Sequence, residues 1–368
     1  MGKIREFIKK LTPHGIIMRR NTNTFLQDYD RWKAAGGSIT FDKTCRFDSY
    51  VTIDGFGSSG SSAVMDLLRE YDGCTVWATK PSFTGKGAEV KGERLEVGGE
   101  MDLMRLHGGL LYLEKMMEDD ATVNVFWSDA AVKAFISLAF YSDQYKFQPE
   151  LRPLFYGFFE RIVDQRLTSD QLLMGAYLNP FSSLKDMFYL KRMPKSEYQQ
   201  LCREFLYTLF NRLFPNAKGG CLVLDHIFDD CGLDMQRFQP YLPGVKRIKV
   251  RRDIRGVYID AVKNNHRWLA HDTTEDFLKW ERFSYRDHSD DNPTYHTVKF
   301  EELVSNYDYE VSRIEAYLDL KPEQHTRKGT MLKPEISCKN IRIWERYPQL
   351  AKELEEIRNA EPELCYTD

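Results

Sequence analysis

The chain has 368 residues, 42% of them hydrophobic and 13% aromatic, with 52 Lys and Arg against 55 Asp and Glu. That is apolar material for one large α/β domain with insertions, or for two ordinary domains. A net charge of −3 excludes a generally basic nucleic-acid binder, so any bound anion needs a local patch. Seven dispersed Cys without a C-x-x-C pair exclude a disulfide framework and a zinc-ribbon site, and they fit a reducing compartment such as the cytoplasm. No window of about 18 apolar residues exists, which excludes a transmembrane helix.

In chain order, MGKIREFIKKLTPHGIIMRR is basic and amphipathic, and charge interrupts any signal-peptide core. It reads either as a helix packing Ile4, Phe7, Ile8 and Leu11 inward, or as a membrane-surface contact through Lys3, Arg5, Lys9, Lys10, Arg19 and Arg20. Residues 1–45 form an N-terminal extension, and 46–368 a single α/β domain. YVTID (50–54) is a short buried strand, GFGSSGSS a turn, AVMDLLREY (63–71) a helix, and CTVWAT (74–79) a second strand. Strand, glycine-rich turn, helix and strand make a βαβ unit, hence a parallel sheet.

Residues 80–100 read as a loop. From about 101 to 214 the pattern is mostly helical and aromatic, as in FISLAFYSDQYKF, LFYGFFERI, DMFYLKRM and EFLYTLFNRLF. Such stripes build helix cores, and they could also roof an apolar pocket. CLVLDH (221–226), VKRIKVRRD (245–253) and YHTVKF (295–300) are further strands, with helices after the last two. The fold class is therefore α/β, a central parallel sheet flanked by helices with one long helical, aromatic-rich insertion.

The turn Gly55-Phe56-Gly57-Ser58-Ser59-Gly60-Ser61-Ser62 enters a helix, where backbone N–H groups and the helix dipole favour an anion. It fits G-x-G-x-x-G, but the second strand ends Ala78-Thr79-Lys80 without the acid that holds a ribose. It fits the frame of G-x-x-x-x-G-K-[ST], but Ser61 stands where the lysine clamps phosphates. Downstream, Lys246 to Arg255 carries six cations in ten residues. Ile248 and Val250 alternate with them, so a buried strand delivers Arg252 to the sheet edge where ligands of open α/β sheets bind.

Ser59-Gly60-Ser61-Ser62 resembles the 5′-phosphosulfate loop of sulfotransferases. IKVRRDIRGVYIDAV is similar to their 3′-phosphate motif, with Arg252, Asp253 and Arg255 matching and Asp260 at the usual serine position. YHTVKFEELVSN, Arg327-Lys328-Gly329 and Ser337-Cys338-Lys339-Asn340-Ile341 resemble later stretches of that family in the right order. The resemblance implies a P-loop-like sheet and transfer of a sulfuryl group from 3′-phosphoadenosine 5′-phosphosulfate (PAPS), with no metal. Gly57, Ser58, Ser59, Gly60, Ser61 and Ser62 would hold the 5′ end. Arg252, Asp260, Arg327, Lys328 and Gly329 would serve the 3′-phosphate. His226 falls on the family's catalytic His, with Asp225 as its orienter or as the base itself. Ser58 and Leu224 replace two expected cations, leaving Lys80 or Arg255 to neutralise the leaving group. No His spacing suits a metal, and no G-x-S-x-G elbow occurs. The acceptor would be a hydrophobic alcohol such as a sterol or lipid, or a saccharide. A non-catalytic nucleotide-binding protein is the other class.

Overall fold

The structure, a computed structural model, describes residues 14–55, 57–77, 109–118, 125–142, 144–145, 148–168, 186–225, 227, 237–266, 269–284 and 295–366. In chain order its elements are α1 (His14–Ala34), β1 (Ser49–Gly55), α2 (Ser61–Arg69), β2 (Cys74–Trp77), α3 (Leu110–Glu118), α4 (Val125–Tyr141) and α5 (Arg152–Ile162). Then come β3 (Val163–Thr168), β4 (Asp186–Leu190), α6 (Lys195–Leu213), β5 (Cys221–Asp225), β6 (Lys246–Arg251), α7 (Ile254–Asn264) and α8 (Thr274–Ser284). The chain finishes with β7 (Tyr295–Lys299), α9 (Phe300–Ser305), α10 (Tyr307–Leu318), α11 (Pro334–Ser337) and α12 (Ala351–Ala360). They form two compact units, residues 47–100 with 218–368, and residues 1–46 with 101–217. No described helix is long and apolar enough to cross a membrane.

The first unit holds a five-stranded parallel sheet in the order β2-β5-β1-β6-β7. The expected strands and their parallel pairing are all present. β1 is central because both its faces suit burial. Val51 and Ile53 point to an apolar cluster with Val64, Leu67 and Leu68 of α2. Thr52 and Asp54 lie on the other face, fully buried. There the Asp54 carboxylate accepts from the Thr52 hydroxyl at 3.1 Å and from Arg247 Nε at 3.2 Å. The pair offsets the cost of placing either charge inside the sheet.

From β1 the chain moves outward to β2, whereas from β6 it moves the other way to β7. The direction therefore reverses between β1 and β6, the place where open α/β sheets open a crevice at their carboxyl ends. Gly55 pairs with Val250, so the turn after β1 and Arg252 after β6 emerge side by side.

The second unit is built on aromatic contacts. The Phe25 ring of α1 lies 5.9 Å from Tyr145, 5.2 Å from Tyr156 and 5.4 Å from Phe159. Phe205 of α6 lies 5.5 Å from Phe155 and 5.1 Å from Phe158. These rings bury one another, and aromatic pairs at such spacings add attraction beyond their buried area. The reading of DMFYLKRM as helical is corrected: Asp186–Leu190 is β4, antiparallel to β3. Met187, Phe188 and Leu190 are buried, and Arg166 of β3 pairs with Asp186 at 2.7 Å. The N-terminal residues 4, 7, 8 and 11 lie outside the described residues.

Candidate nucleotide site at the turn after β1

The turn is shaped by two glycines that nothing larger replaces. A Cβ on Gly55 would lie 2.3 Å from Ser59 Oγ and 2.7 Å from the Val250 carbonyl. Gly60 has φ +89°, and a Cβ there would lie 2.6 Å from the Phe300 ring. Ser58 is also left-handed, at φ 67°. Gly60 is the N-cap of α2 and gives it no side-chain cap, and no acidic residue occupies the first turn. The leading N–H groups of a helix have no intrahelical partner, so this end favours an anion. Ser59 is fully buried, and its Oγ has no hydrogen-bond partner. Ser61 is half-buried and Ser62 exposed at the helix start.

Arg252 braces this turn. Its Nη1 donates to the Ser58 carbonyl at 3.0 Å and to Asp260 Oδ2 at 2.6 Å, and its Nη2 reaches the Asn340 carbonyl at 3.4 Å. Nε has no partner, and the guanidinium lies 5.4 Å from the Phe300 ring centre. Gly256 leaves room for it, since a Cβ there would sit 3.0 Å from Arg252 Nε. Asp260 is thus the counter-ion of Arg252, two helical turns along α7. The Asn340 contact brings the Ser337–Ile341 stretch beside the turn.

Sequence reasoning missed the residues that hold this corner together. Glu301 Oε1 accepts from the Asp253 N–H at 3.0 Å, and burial pushes its carboxyl above the ordinary range. Phe300 fills the space that Gly60 leaves open. Both belong to YHTVKFEELVSN, but their partners are some 50 to 240 positions away in the chain, and only the fold reveals the contact. Arg252 also lines a cleft of about 1060 Å³ with Arg251, Thr297, Lys299, Glu301 and Arg313.

Two groups of candidates lie elsewhere. Arg255 packs 3.8 Å from the Trp344 ring and pairs with Asp253 at 2.5 Å, so it neutralises its own neighbour rather than a leaving group. Arg327, Lys328 and Gly329 are not brought to the turn. Their segment sits on Glu70, the C-cap of α2, whose carboxylate accepts from Gly329 N at 3.1 Å, Met331 N at 2.7 Å, Leu332 N at 2.9 Å and His325 Nε2 at 2.8 Å. The 9 residues of α2 span about 13 Å, and that length separates these residues from the glycine-rich end. Lys328 pairs with Asp308 at 2.9 Å on the surface.

Asp225 ends β5 and is buried, on the sheet face shared by Cys221 and Val223. His226 and Lys80 lie outside the described residues. Among the described residues no group of three or more His, Cys, Asp or Glu is placed to hold a metal ion.

The sequence matches no protein-family model and no curated protein. Among solved structures it is similar to sulfotransferase STF9 from Mycobacterium avium, at 13% identity and TM-score 0.35, covering 85% of this chain and 77% of that one. It is also similar to sulfotransferase STF1 from Mycobacterium tuberculosis H37Rv, at 10% identity and TM-score 0.31, covering 84% of this chain and 80% of that one.

Proposed function

We propose that the chain moves the sulfuryl group of PAPS to an acceptor hydroxyl, with the turn Gly57–Ser62 holding the donor's 5′-phosphosulfate. The observation that carries this reading is the turn itself. It is a left-handed, uncapped helix start at the reversal point of a parallel sheet, with the buried Ser59 hydroxyl left without a partner. The order of the downstream stretches supports sulfuryl rather than phosphoryl transfer, as does Ser61 in place of a phosphate-clamping lysine.

In this reading the acceptor oxygen attacks sulfur in line, the bond from sulfur to the 5′-phosphate oxygen breaks, and 3′,5′-bisphosphorylated adenosine leaves. His226 or Asp225 takes the acceptor proton, the task of a general base. The turn's N–H groups carry the phosphate charge that develops. Arg252 keeps the turn in shape, and a 3′-phosphate reaches its guanidinium by displacing Asp260. The acceptor is a hydrophobic alcohol or a saccharide. The aromatic rings that suggested an apolar pocket pack against one another, so they no longer favour the former.

Calorimetry with adenosine 3′,5′-bisphosphate, ADP and NAD tests the donor, and equal affinities for the three would sink the proposal. Incubation with PAPS and a panel of alcohols and sugars, read by mass spectrometry for one added sulfuryl group, tests the reaction. Tight bisphosphate binding without any product would mark a binding protein instead. His226→Ala should lower turnover by about two to four orders of magnitude with little change in donor affinity. If Asp225→Asn is inactive while His226→Ala is not, the carboxylate is the base.

A further inference from the structure

Two of the dispersed cysteines meet at the opposite edge of the sheet. Cys74 and Cys221 are the first residues of β2 and β5 and stand directly opposite each other in the parallel ladder. Neighbouring strands lie about 4.8 Å apart, and opposed residues in a parallel pair point to the same face. That separation is inside the Cα range of about 4.4–6.8 Å that a disulfide spans. Both side chains join the apolar cluster beneath α2, Cys221 buried and Cys74 half-buried.

The interaction of the Cys74 thiol with Cys221, then burial, pushes Cys74 well above the ordinary thiol range, and the same interaction holds Cys221 below it. Cys221 also receives a hydrogen bond from Ser49 and feels the charge of Lys246, while Arg327 acts on Cys74. Glycines bring the two chain segments close together before the cysteines. Gly73, Gly219 and Gly220 all have positive φ, and the Cys221 N–H is held by the Gly73 carbonyl at 2.8 Å.

We propose that Cys74 and Cys221 form a redox-active dithiol that closes to a reversible disulfide when the protein meets a peroxide. One of the two sulfurs takes one peroxide oxygen to become a sulfenic acid as one water leaves. The other thiol then attacks that sulfur, the S–S bond forms, and the sulfenic oxygen departs as a second water with the attacking thiol's proton. Two thiols and one peroxide thus give one disulfide and two waters, and a dithiol reductant returns both thiols. The bond would tie β2 to β5 at the edge away from the glycine-rich turn, so it is independent of nucleotide binding.

The test uses the full reduced chain, treated with hydrogen peroxide, alkylated and digested without reductant for peptide mass spectrometry. Cys338, which is exposed, reports that oxidant was effective. The proposal expects a peptide linking Cys74 to Cys221, two hydrogens lighter than its parts and removed by dithiothreitol, together with a raised Tm. Cys74→Ser should abolish the link and the Tm rise, and Cys221→Ser should do the same. Peroxide in denaturant should not favour this pair. Recovery of Cys74 and Cys221 as separate alkylated or sulfinic peptides, while Cys338 is oxidised, would overturn the proposal. So would a linked peptide that forms equally in denaturant.

Discussion

Arg252 has a structural part beside the phosphate-binding one that its motif implies. Its two terminal nitrogens donate to Ser58, Asp260 and Asn340, so it orders the turn before any ligand arrives. If Asp260 holds the place of a 3′-phosphate, Asp260→Ser should tighten adenosine 3′,5′-bisphosphate about tenfold, roughly 1.4 kcal/mol, by calorimetry. Arg252→Ala should weaken it by about 1.5–3 kcal/mol, the worth of charge-assisted hydrogen bonds. A second residue sets a pH response. Glu281 of α8 is buried without a partner for either carboxyl oxygen, and burial, then Glu361, push it from 4.5 up to about 7. Between those values the folded chain holds a proton that the unfolded chain has released, so stability falls as pH rises through that window and levels above it. Glu281→Gln should flatten this slope in Tm against pH, removing at most about 3 kcal/mol of dependence. An unchanged slope would assign it to other groups.

At the scale of elements, the junction of β1 with α2 makes the sharpest prediction. Gly60→Ala forces a left-handed alanine against Phe300, so it should destabilise the fold by about 1–3 kcal/mol while it weakens nucleotide binding. Thermal unfolding and calorimetry on the same sample check both effects. A fully stable mutant would mean that Phe300 yields. The sheet strands were legible because each is an apolar, β-branched run closed by a turn or a basic end. β4 was not, since DMFYL shares its aromatic character with the helices around it and its partner β3 carries only a weak alternation in VDQRLT. The turn was legible from its glycines and serines, whereas the pairing of Asp260 with Arg252 was not, since the motif marks its position only as the usual serine. The hub at Glu70 was not legible. Its donors come from about 260 positions away, and an Arg-Lys-Gly string carries no mark of which end of α2 it joins.

At the scale of the molecule, the residues of 101–217 group with 1–46, while the sheet unit is assembled from 47–100 and 218–368. The sequence arrives at the sheet twice. Neither β1 nor β2 pairs with the other, since β5 lies between them and β6 closes the far side of β1. On the ribosome, therefore, two strands with apolar faces are made early and have no partner until Cys221–Asp225 emerges. At ordinary synthesis speeds that wait from Gly55 to Cys221 is ~10–30 s, long enough for an unpaired strand to find another chain. A nascent chain stalled near residue 218 should accordingly be insoluble or chaperone-bound, whereas one extended past β6 should release, a difference that fractionation of arrested chains would read. The central position of β1 makes the birth of this protein, rather than its mature state, the moment of greatest exposure to aggregation.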